Sequence, residues 1–404
     1  MSYSPKSWNK YKNSLKFLAQ GSSTSSKVPR FENIDPAQIV RGKGCRVWDL
    51  DGNEYIDYRN GLGPVTLGYC IPEINAAVIE QLNKGILFGH PHVLEGEAAE
   101  MLTAVIPCAE RVRFLKTGGE VLAACIKIAR AATGRNKIVQ CGYNGWLNSL
   151  SAPSGNVPAG IADSQPVKGV PQQISSLHRS LGWADYEAWE NAFSEDGENI
   201  AAAVLAADYP EMEKGKEFFP FVRDLTEKYG TLLIIDEIVT GFRLAFGGAH
   251  EYFNFMPDMA VFAKGFANGM PLSAYVGKAE LVDSARSIGI SSTFAGEALS
   301  LAALKAVTAF YKRNDVIGHL WKYGEMLWSQ VNRIFKENEI PAQVKGVGVC
   351  PLIDFENPAE KNAFFRNCYL NGLSLYDVSY VNFSHKEKDI NETVDRIEKA
   401  ILNC

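Results

Sequence analysis

Two ionisable residues stand where buried apolar runs end. In TLLIIDEIVTGFR (231–243) the run 232–235 reads as an interior strand with Asp236 at its carboxyl end. A carboxylate there is costly to desolvate without a cationic partner. A protonated pyridine nitrogen is such a partner, and the contact would keep a planar ring in its electron-withdrawing state. Asp236 could instead cap the following turn. In DMAVFAKGFANGMPLSAYVG (258–277), MAVFA reads as a second short buried strand that ends in Lys264. Burial disfavours the ammonium, and a neutral amine is what attacks an aldehyde. Lys264 alone could also be a snorkelling surface lysine. Together, a strand-end aspartate and a strand-end lysine on successive strands can grip one aromatic aldehyde from two sides.

Such a ring needs its faces covered and any anionic group held. In FLKTGGEVLAACIKIARAATGR (114–135) a strand runs into Thr117-Gly118-Gly119, and a helix follows from Glu120. Uncommitted amides and the helix dipole favour a phosphate there, although Gly118 and Gly119 could simply make a tight turn. Gly265 and Gly269 leave room for a flat group beside Lys264. In CGYNGWLNSL (141–150) Tyr143 is placed to stack on a ring, or to serve as a core aromatic. Ile238, two residues past Asp236, could press the opposite face.

The elements that would position these residues follow from periodicity. From about 72 to 300, helical stretches alternate with short β-branched runs: RVRFLKT, KIVQCGY, NIAAAVLAADY, TLLIIDEI and MAVFAKG. That alternation predicts an α/β fold with a mainly parallel central sheet and helices on both faces. Ligands of such sheets bind at the carboxyl ends of the strands. Upstream, residues 1–20 read as an amphipathic helix anchored by Trp8, Tyr11, Leu15 and Phe17. A Ser-rich loop (21–30) follows, then a small antiparallel sheet over 37–58 with a turn at Asp51-Gly52. Downstream, a long helical segment from about 297 to 338 leads into an α+β unit, with strands near 343–355 and 379–384 and a closing helix at 386–402. The expected division is 1–71 as an N-terminal segment packing with the small domain, 72–300 as the large domain, and 301–404 as the small one.

Composition narrows the class. The chain has 404 residues, 46% of them apolar, and a formal net charge of −5. A nucleic-acid or acidic-membrane surface is a poor fit to that charge. The eight cysteines are scattered without a C-x-x-C pair, so reduced thiols rather than disulfides or a metal centre are expected. No signal-peptide pattern opens the chain and no run reaches the roughly 18 apolar residues of a membrane span, which makes the cytoplasm the expected compartment.

With these motifs in view, the chain resembles the class III pyridoxal-phosphate-dependent aminotransferases of fold type I, the aspartate-aminotransferase superfamily. Within them it is most similar to the glutamate-1-semialdehyde 2,1-aminomutase branch. The likeness spans about residues 21–400. It is carried by VWDLDGNEYIDYRNGLGPVTLGY, the strand–TGGE–helix unit, the YNG turn, LLIIDEIVTGFR, FAKGFANGMPLSAYVG and STFAGEALSLAA. The resemblance implies that the cofactor is pyridoxal 5′-phosphate. Lys264 would form the Schiff base and then shuttle a proton, and Asp236 would pair the pyridine nitrogen. Ile238 and Tyr143 would flank the ring, and Gly118 and Gly119 would bind the phosphate. Thr293 would reach the phosphate of a neighbouring subunit, which implies a homodimer with shared active sites. Glu237 and Arg243 match the motif as structural ion-pair residues. The expected partners are a small-molecule amino donor and a carbonyl acceptor.

The chain departs from the family pattern at the phosphate and on the substrate side. Asn144 stands for the usual histidine, and AADYPEM lacks the usual Glu-Pro. T-G-G replaces S-G-T, and Glu297-Ala298 replaces Asn-Pro. A C-terminal carboxylate-binding arginine and the aminomutase glutamate find no match. Ser154 aligns with a gating-loop serine, and Ser25 or Ser26 with one of the N-terminal loop. Arg30, Arg59 and Lys27 are candidate carboxylate anchors, and the Gly-, Pro- and Ser-rich stretch 151–172 could close over the site. Three functions remain open: amino transfer between separate donor and acceptor, intramolecular amino transfer, and a homologue that binds the cofactor without catalysis.

Overall fold

A computed structural model of the chain describes residues 3–147 and 169–402. Its contacts divide it into two units. One joins residues 1–72 to 318–404, and the other spans 73–317. The division falls at 317 rather than 300. The helix Ala298–Arg313 packs on the helix Val93–Thr103 and on the turn Lys264–Ala267, and so lies with the larger unit.

In the unit that joins the chain ends, β1 (Ile39–Lys43), β2 (Arg46–Asp49) and β3 (Glu54–Asp57) form an antiparallel sheet; β11 (Ala342–Lys345) pairs with β12 (Leu352–Phe355), and β13 (Leu373–Ser374) joins β3 in parallel. Helices at 316–337, 358–370 and 387–401 cover a core that includes Trp328, Phe335, Phe364 and Ile390. Three expectations are corrected here. The first helix is Pro5–Ser14, with Trp8 and Tyr11 buried, while Leu15 and Phe17 are 48% and 87% exposed beyond its end. The stretch 379–384 forms no strand; its segment is held by single contacts such as Tyr380 N–H to Tyr58 O at 2.7 Å. The long helical segment is two helices, broken at Asn314-Asp315. Asn314 is extended, and its side-chain amide donates to Phe310 O, which ends the first helix.

The larger unit is built on a seven-stranded sheet in the order β4-β10-β9-β8-β7-β5-β6. The strands are β4 (Arg111–Leu115), β5 (Lys137–Cys141), β6 (His178–Ser180), β7 (Ile200–Ala206), β8 (Leu232–Asp236), β9 (Met259–Phe262) and β10 (Ser273–Gly277). Ladders β6-β5-β7-β8-β9 are parallel, and β10 runs antiparallel to both β9 and β4. Nearly every residue of β7, β8 and β9 is buried, as expected where helices cover both faces. The helix Gly118–Thr133 puts Val121, Leu122, Cys125, Ile128 and Ala129 against the sheet, joining Ile138, Val204, Ile234 and Val261 in one core. It stops at Gly134, in the left-handed conformation with φ +69°.

On the other face, the helix Gly215–Tyr229 presents Phe218, fully buried, to the rings of Trp183, Tyr186 and Trp189 at centroid distances of 4.9, 5.8 and 5.6 Å. Removing such a ring forfeits its transfer energy and leaves a cavity. Phe218→Ala is therefore expected to cost about 3–5 kcal/mol, read as a lower urea midpoint in tryptophan fluorescence.

Candidate active site

The sheet register brings the two chemically active residues together. Asp236 closes β8 opposite Val261 of β9 and, on its other side, opposite Ala206 of β7. Lys264 follows β9 after one residue, so both side chains emerge at the carboxyl ends of neighbouring parallel strands. The lysine sits in a tight turn with φ +48°, a left-handed conformation that costs a non-glycine residue about 1 kcal/mol or more. Surrounding packing holds that strain: Ala263, Phe266 and Ala267 are buried.

The electrostatics of the pair follow from burial. Asp236 is 7% exposed, and its Oδ1 accepts the Ile238 N–H at 2.9 Å. Desolvation pushes its pKa up to about 7; the Ile238 amide and the Lys264 charge hold it down, and Glu237 raises it. Lys264 is pulled down to about 8, chiefly by burial, with Asp236 opposing and the Arg243 guanidinium assisting. The two charges thus feel each other across a gap without a direct ion pair. Between an amine half neutral near pH 8 and a carboxyl half ionised near pH 7, the arrangement can hold a basic heteroaromatic ring and attack its aldehyde.

Gly118, Gly119, Tyr143 and Ile238 also stand at strand ends of this unit. Thr117 caps the helix Gly118–Thr133, with its hydroxyl receiving the Glu120 N–H, while the Glu120 carboxylate accepts the Lys116 and Thr117 amides at 3.0 and 2.8 Å. The first two helical amides, of Gly118 and Gly119, have no carbonyl one turn back to receive them. A Cβ on Gly118 would stand 2.4 Å from Ile238 Cδ1, and one on Gly119 2.6 Å from Leu147 Cδ1. Side chains are therefore excluded where backbone must meet an anion, and Ile238 lies directly against the glycine turn. Tyr143 follows β5 and is 62% exposed, free to cover a flat ligand rather than fill a core. Its neighbour Gly142 takes φ +77°, and a Cβ there would lie 2.5 Å from Ala206 O, so glycine is required on both counts. Asn144, standing for the family's histidine, is fully buried and donates to Cys141 O and Gly142 O, so it fixes the turn that carries Tyr143. A pyridine ring with an aldehyde and a phosphate fits this donor set: an anion cradle, a carboxylate for the nitrogen and an amine for the aldehyde.

Glu297 shows what its substitution for asparagine does. Its carboxylate caps the helix Ala298–Arg313 through the Leu299 and Ser300 amides and pairs with Lys116 Nζ at 2.8 Å. Lys116 also donates to Pro271 O, so this pair ties the end of β4 to the segment after Lys264. The Lys116–Glu297 link went unread in the sequence, where only the missing Asn-Pro was visible. The ion-pair role expected of Glu237 is met by His250, a residue outside the motif. A histidine just after the glycine pair of GGAHEYF was the available signal.

Other candidates stand elsewhere. Thr293 is exposed in the larger unit, beside Phe294 at 59% exposure. Ser25, Ser26, Lys27, Arg30 and Arg59 belong to the unit of the chain ends. There the Arg30 and Arg59 guanidinium groups both lie over the Tyr376 ring, at 4.7 and 4.8 Å, and Arg59 donates to Ser26 O. Ser154 and most of the 151–172 stretch lie outside the described residues.

Two outcomes check this geometry. Borohydride trapping of an aldehyde on Lys264 should rise with pH through a midpoint near 8, since the neutral amine is the reactive form. Asp236→Asn removes the charge that favours the ammonium, so the midpoint should move down; mass spectrometry of the trapped peptide reads both.

Comparison with known proteins agrees with the strand-end chemistry. Residues 29–401 match the family model described as Aminotransferase class-III. The glutamate-1-semialdehyde 2,1-aminomutase of Sulfurihydrogenibium azorense is 34% identical, over 98% of this chain and 98% of that one. That of Thermus thermophilus is 31% identical, over 93% and 95%. Among solved structures, the pyridoxal-phosphate form of the Sphingopyxis FumI protein superposes with a TM-score of 0.89 at 23% identity, covering 98% of this chain and 96% of that one. A glutamate-1-semialdehyde-aminomutase from Pseudomonas aeruginosa superposes with 0.84 at 19%, covering 99% and 95%. The fold is that of the pyridoxal-phosphate-dependent fold type I enzymes, and the chain belongs to the class III aminotransferase family.

Proposed function

We propose that this enzyme moves an amino group between a separate donor and an aldehyde or keto acceptor, with Lys264 and Asp236 as its catalytic residues. The observation that carries the reading is the placement of a lowered-pKa amine and a buried carboxylate at the ends of β9 and β8. Pyridoxal phosphate, when bound, supplies the electron sink that takes up charge from the carbon losing its proton. The residues do the rest. With the cofactor bound, Lys264 Nζ would be the group that holds its aldehyde. The same amine, neutral in part at physiological pH, would be the base that takes the proton from the donor carbon and gives it back. Asp236 keeps the ring nitrogen protonated. The Gly118 and Gly119 amides would bind the phosphate, and Ile238 and Tyr143 would cover the two ring faces. The same steps in reverse load the acceptor.

Intramolecular transfer is the second reading. Relatives named glutamate-1-semialdehyde 2,1-aminomutase cover nearly the whole chain at 30–34% identity. For this reading the resemblance offers Arg30, Arg59 and Ser25 or Ser26, cationic and hydroxyl groups of the unit of the chain ends, as carboxylate candidates. An external donor separates the two. With a panel of amino acids and amines, the purified enzyme should lose its visible Schiff-base band as amino groups load, and recover it with an aldehyde or keto acid. Turnover of the semialdehyde alone, with no response to any donor, would put the intramolecular reading first. Lys264→Ala should lose both the band and at least about 10³-fold in rate; wild-type turnover by that variant would end either reading.

A homodimer also belongs to this proposal. Leu82, Leu87, Phe88, Val93 and Phe294 are each 41–66% exposed, and the Ala298 N–H bond to Ile86 O at 2.8 Å ties their segments together beside Thr293. Such a patch marks a protein interface, and a second copy would bring Thr293 to the neighbouring phosphate. Phe294→Asp is expected to move the sedimentation coefficient toward a monomer and to weaken cofactor retention along with it.

A further inference from the structure

Directly after Asp236 comes a second carboxylate, Glu237, whose side chain is wholly buried, as is that of His250. Glu237 Oε2 accepts the Ala249 N–H at 2.7 Å and the Thr240 hydroxyl. Its Oε1 accepts the His250 N–H at 2.9 Å and lies 3.0 Å from His250 Nδ1. Gly248 leaves space for this contact; with φ +85°, a Cβ there would fall 2.1 Å from Oε2. Of the four donors, the imidazole alone can carry a charge. A buried carboxylate without a countercharge is strongly destabilising, so an imidazolium at His250 is the state that suits this contact, although its Nε2 is buried without a hydrogen-bond partner among the described residues. Burial opposes the charge on His250, but Cys108 and Glu237 outweigh it and raise the pKa to about 10.

We propose that His250 is a positioning residue for the site: its imidazolium cancels the Glu237 charge and so keeps the neighbouring Asp236 carboxylate ionised for a protonated ring nitrogen. The aminotransferase reading supplies the ring nitrogen; the ionisation of Asp236 stands apart from it. The charged and titratable groups facing the carboxylate are Lys264, Glu237 and the Cys125 thiol. Lys264 favours ionisation, whereas Glu237 opposes it. Those facing His250 are Glu237 and Cys108. Arg243 acts on Lys264. The Glu237–His250 pair also closes the segment 237–250 on itself, and that segment carries both Ile238 and Arg243.

The test is the pH dependence of the cofactor dissociation constant, for the full chain and its variants. Wild-type affinity should weaken as pH falls through the Asp236 titration near 7. His250→Gln keeps a hydrogen-bond donor but leaves Glu237 uncompensated, and should move that inflection up by about one pH unit, about a fivefold loss at the wild-type midpoint and about tenfold well below it. Glu237→Gln should move it down, and the double variant should bring it back from the His250→Gln position. A purely structural role would lower the melting temperature and weaken binding equally at every pH, with the inflection unmoved; that result overturns the proposal. Should His250→Gln fail to fold, an unmoved inflection in Glu237→Gln overturns it equally. Asp236→Asn separates this from the site reading. If the inflection survives that substitution, Asp236 is not the titrating group and both fail. If it vanishes there while His250→Gln leaves it in place, the role of His250 alone fails.

Discussion

Two opposite charges at the dry ends of adjacent parallel strands impose the main constraint on this molecule. Neither Asp236 nor Lys264 would be ionised comfortably alone in that setting, since removing a carboxylate or an ammonium from water costs several kcal/mol per ion. The register of β8 with β9 sets them close enough for each to offset part of the other's desolvation, yet not close enough to pair. A direct salt bridge would satisfy both groups and leave neither available. A gap with both charges half-compensated leaves room for a ring whose nitrogen wants a carboxylate and whose aldehyde wants an amine.

Other features of the larger unit answer the same constraint. Glu237 brings a further negative charge beside Asp236, and His250 meets it with a positive one. Arg243 adds a positive field at Lys264, which favours the neutral amine. Lys116 and Glu297 form a second shielded pair at 15% and 11% side-chain exposure, and it links the strand before the glycine turn to the helix after the lysine turn. Apolar packing beneath, from the helix Gly118–Thr133 on β7, β8 and β9, gives these groups a rigid floor. The left-handed φ of Lys264 persists because that floor leaves its turn no alternative.

The strand ends were legible because two chemical signals coincide there: an apolar run of strand length, and an ionisable residue with nothing polar before it. The α/β alternation, the glycine turn and the hairpin at Asp51-Gly52 were readable for similar local reasons. What stayed hidden depends on contacts distant in sequence. His250 matters through a carboxylate thirteen residues earlier, and Lys116 through one 181 residues later. Leu15 and Phe17 fit a helical stripe, but the helix ends at Ser14, where the chain begins a series of turns. The 379–384 stretch alternates like a strand, yet no neighbouring edge continues a ladder there. Periodicity reports which face a residue prefers and is silent on whether a partner strand exists.

The two amino-transfer readings share every residue at the Asp236–Lys264 end, so chemistry at that end does not separate them. Both need the same proton carried by the same amine between the same two carbons. They differ in whether the half-converted substrate leaves before the second half-reaction. That is a competition between escape and a further proton transfer, and escape is governed by contacts on the substrate side. The departures from the family pattern include the AADYPEM turn after β7 and the lack of a match to the C-terminal arginine. Family membership therefore fixes the proton and the cofactor, while reaction specificity rests on how tightly a divergent pocket holds its ligand between two turns of one cycle.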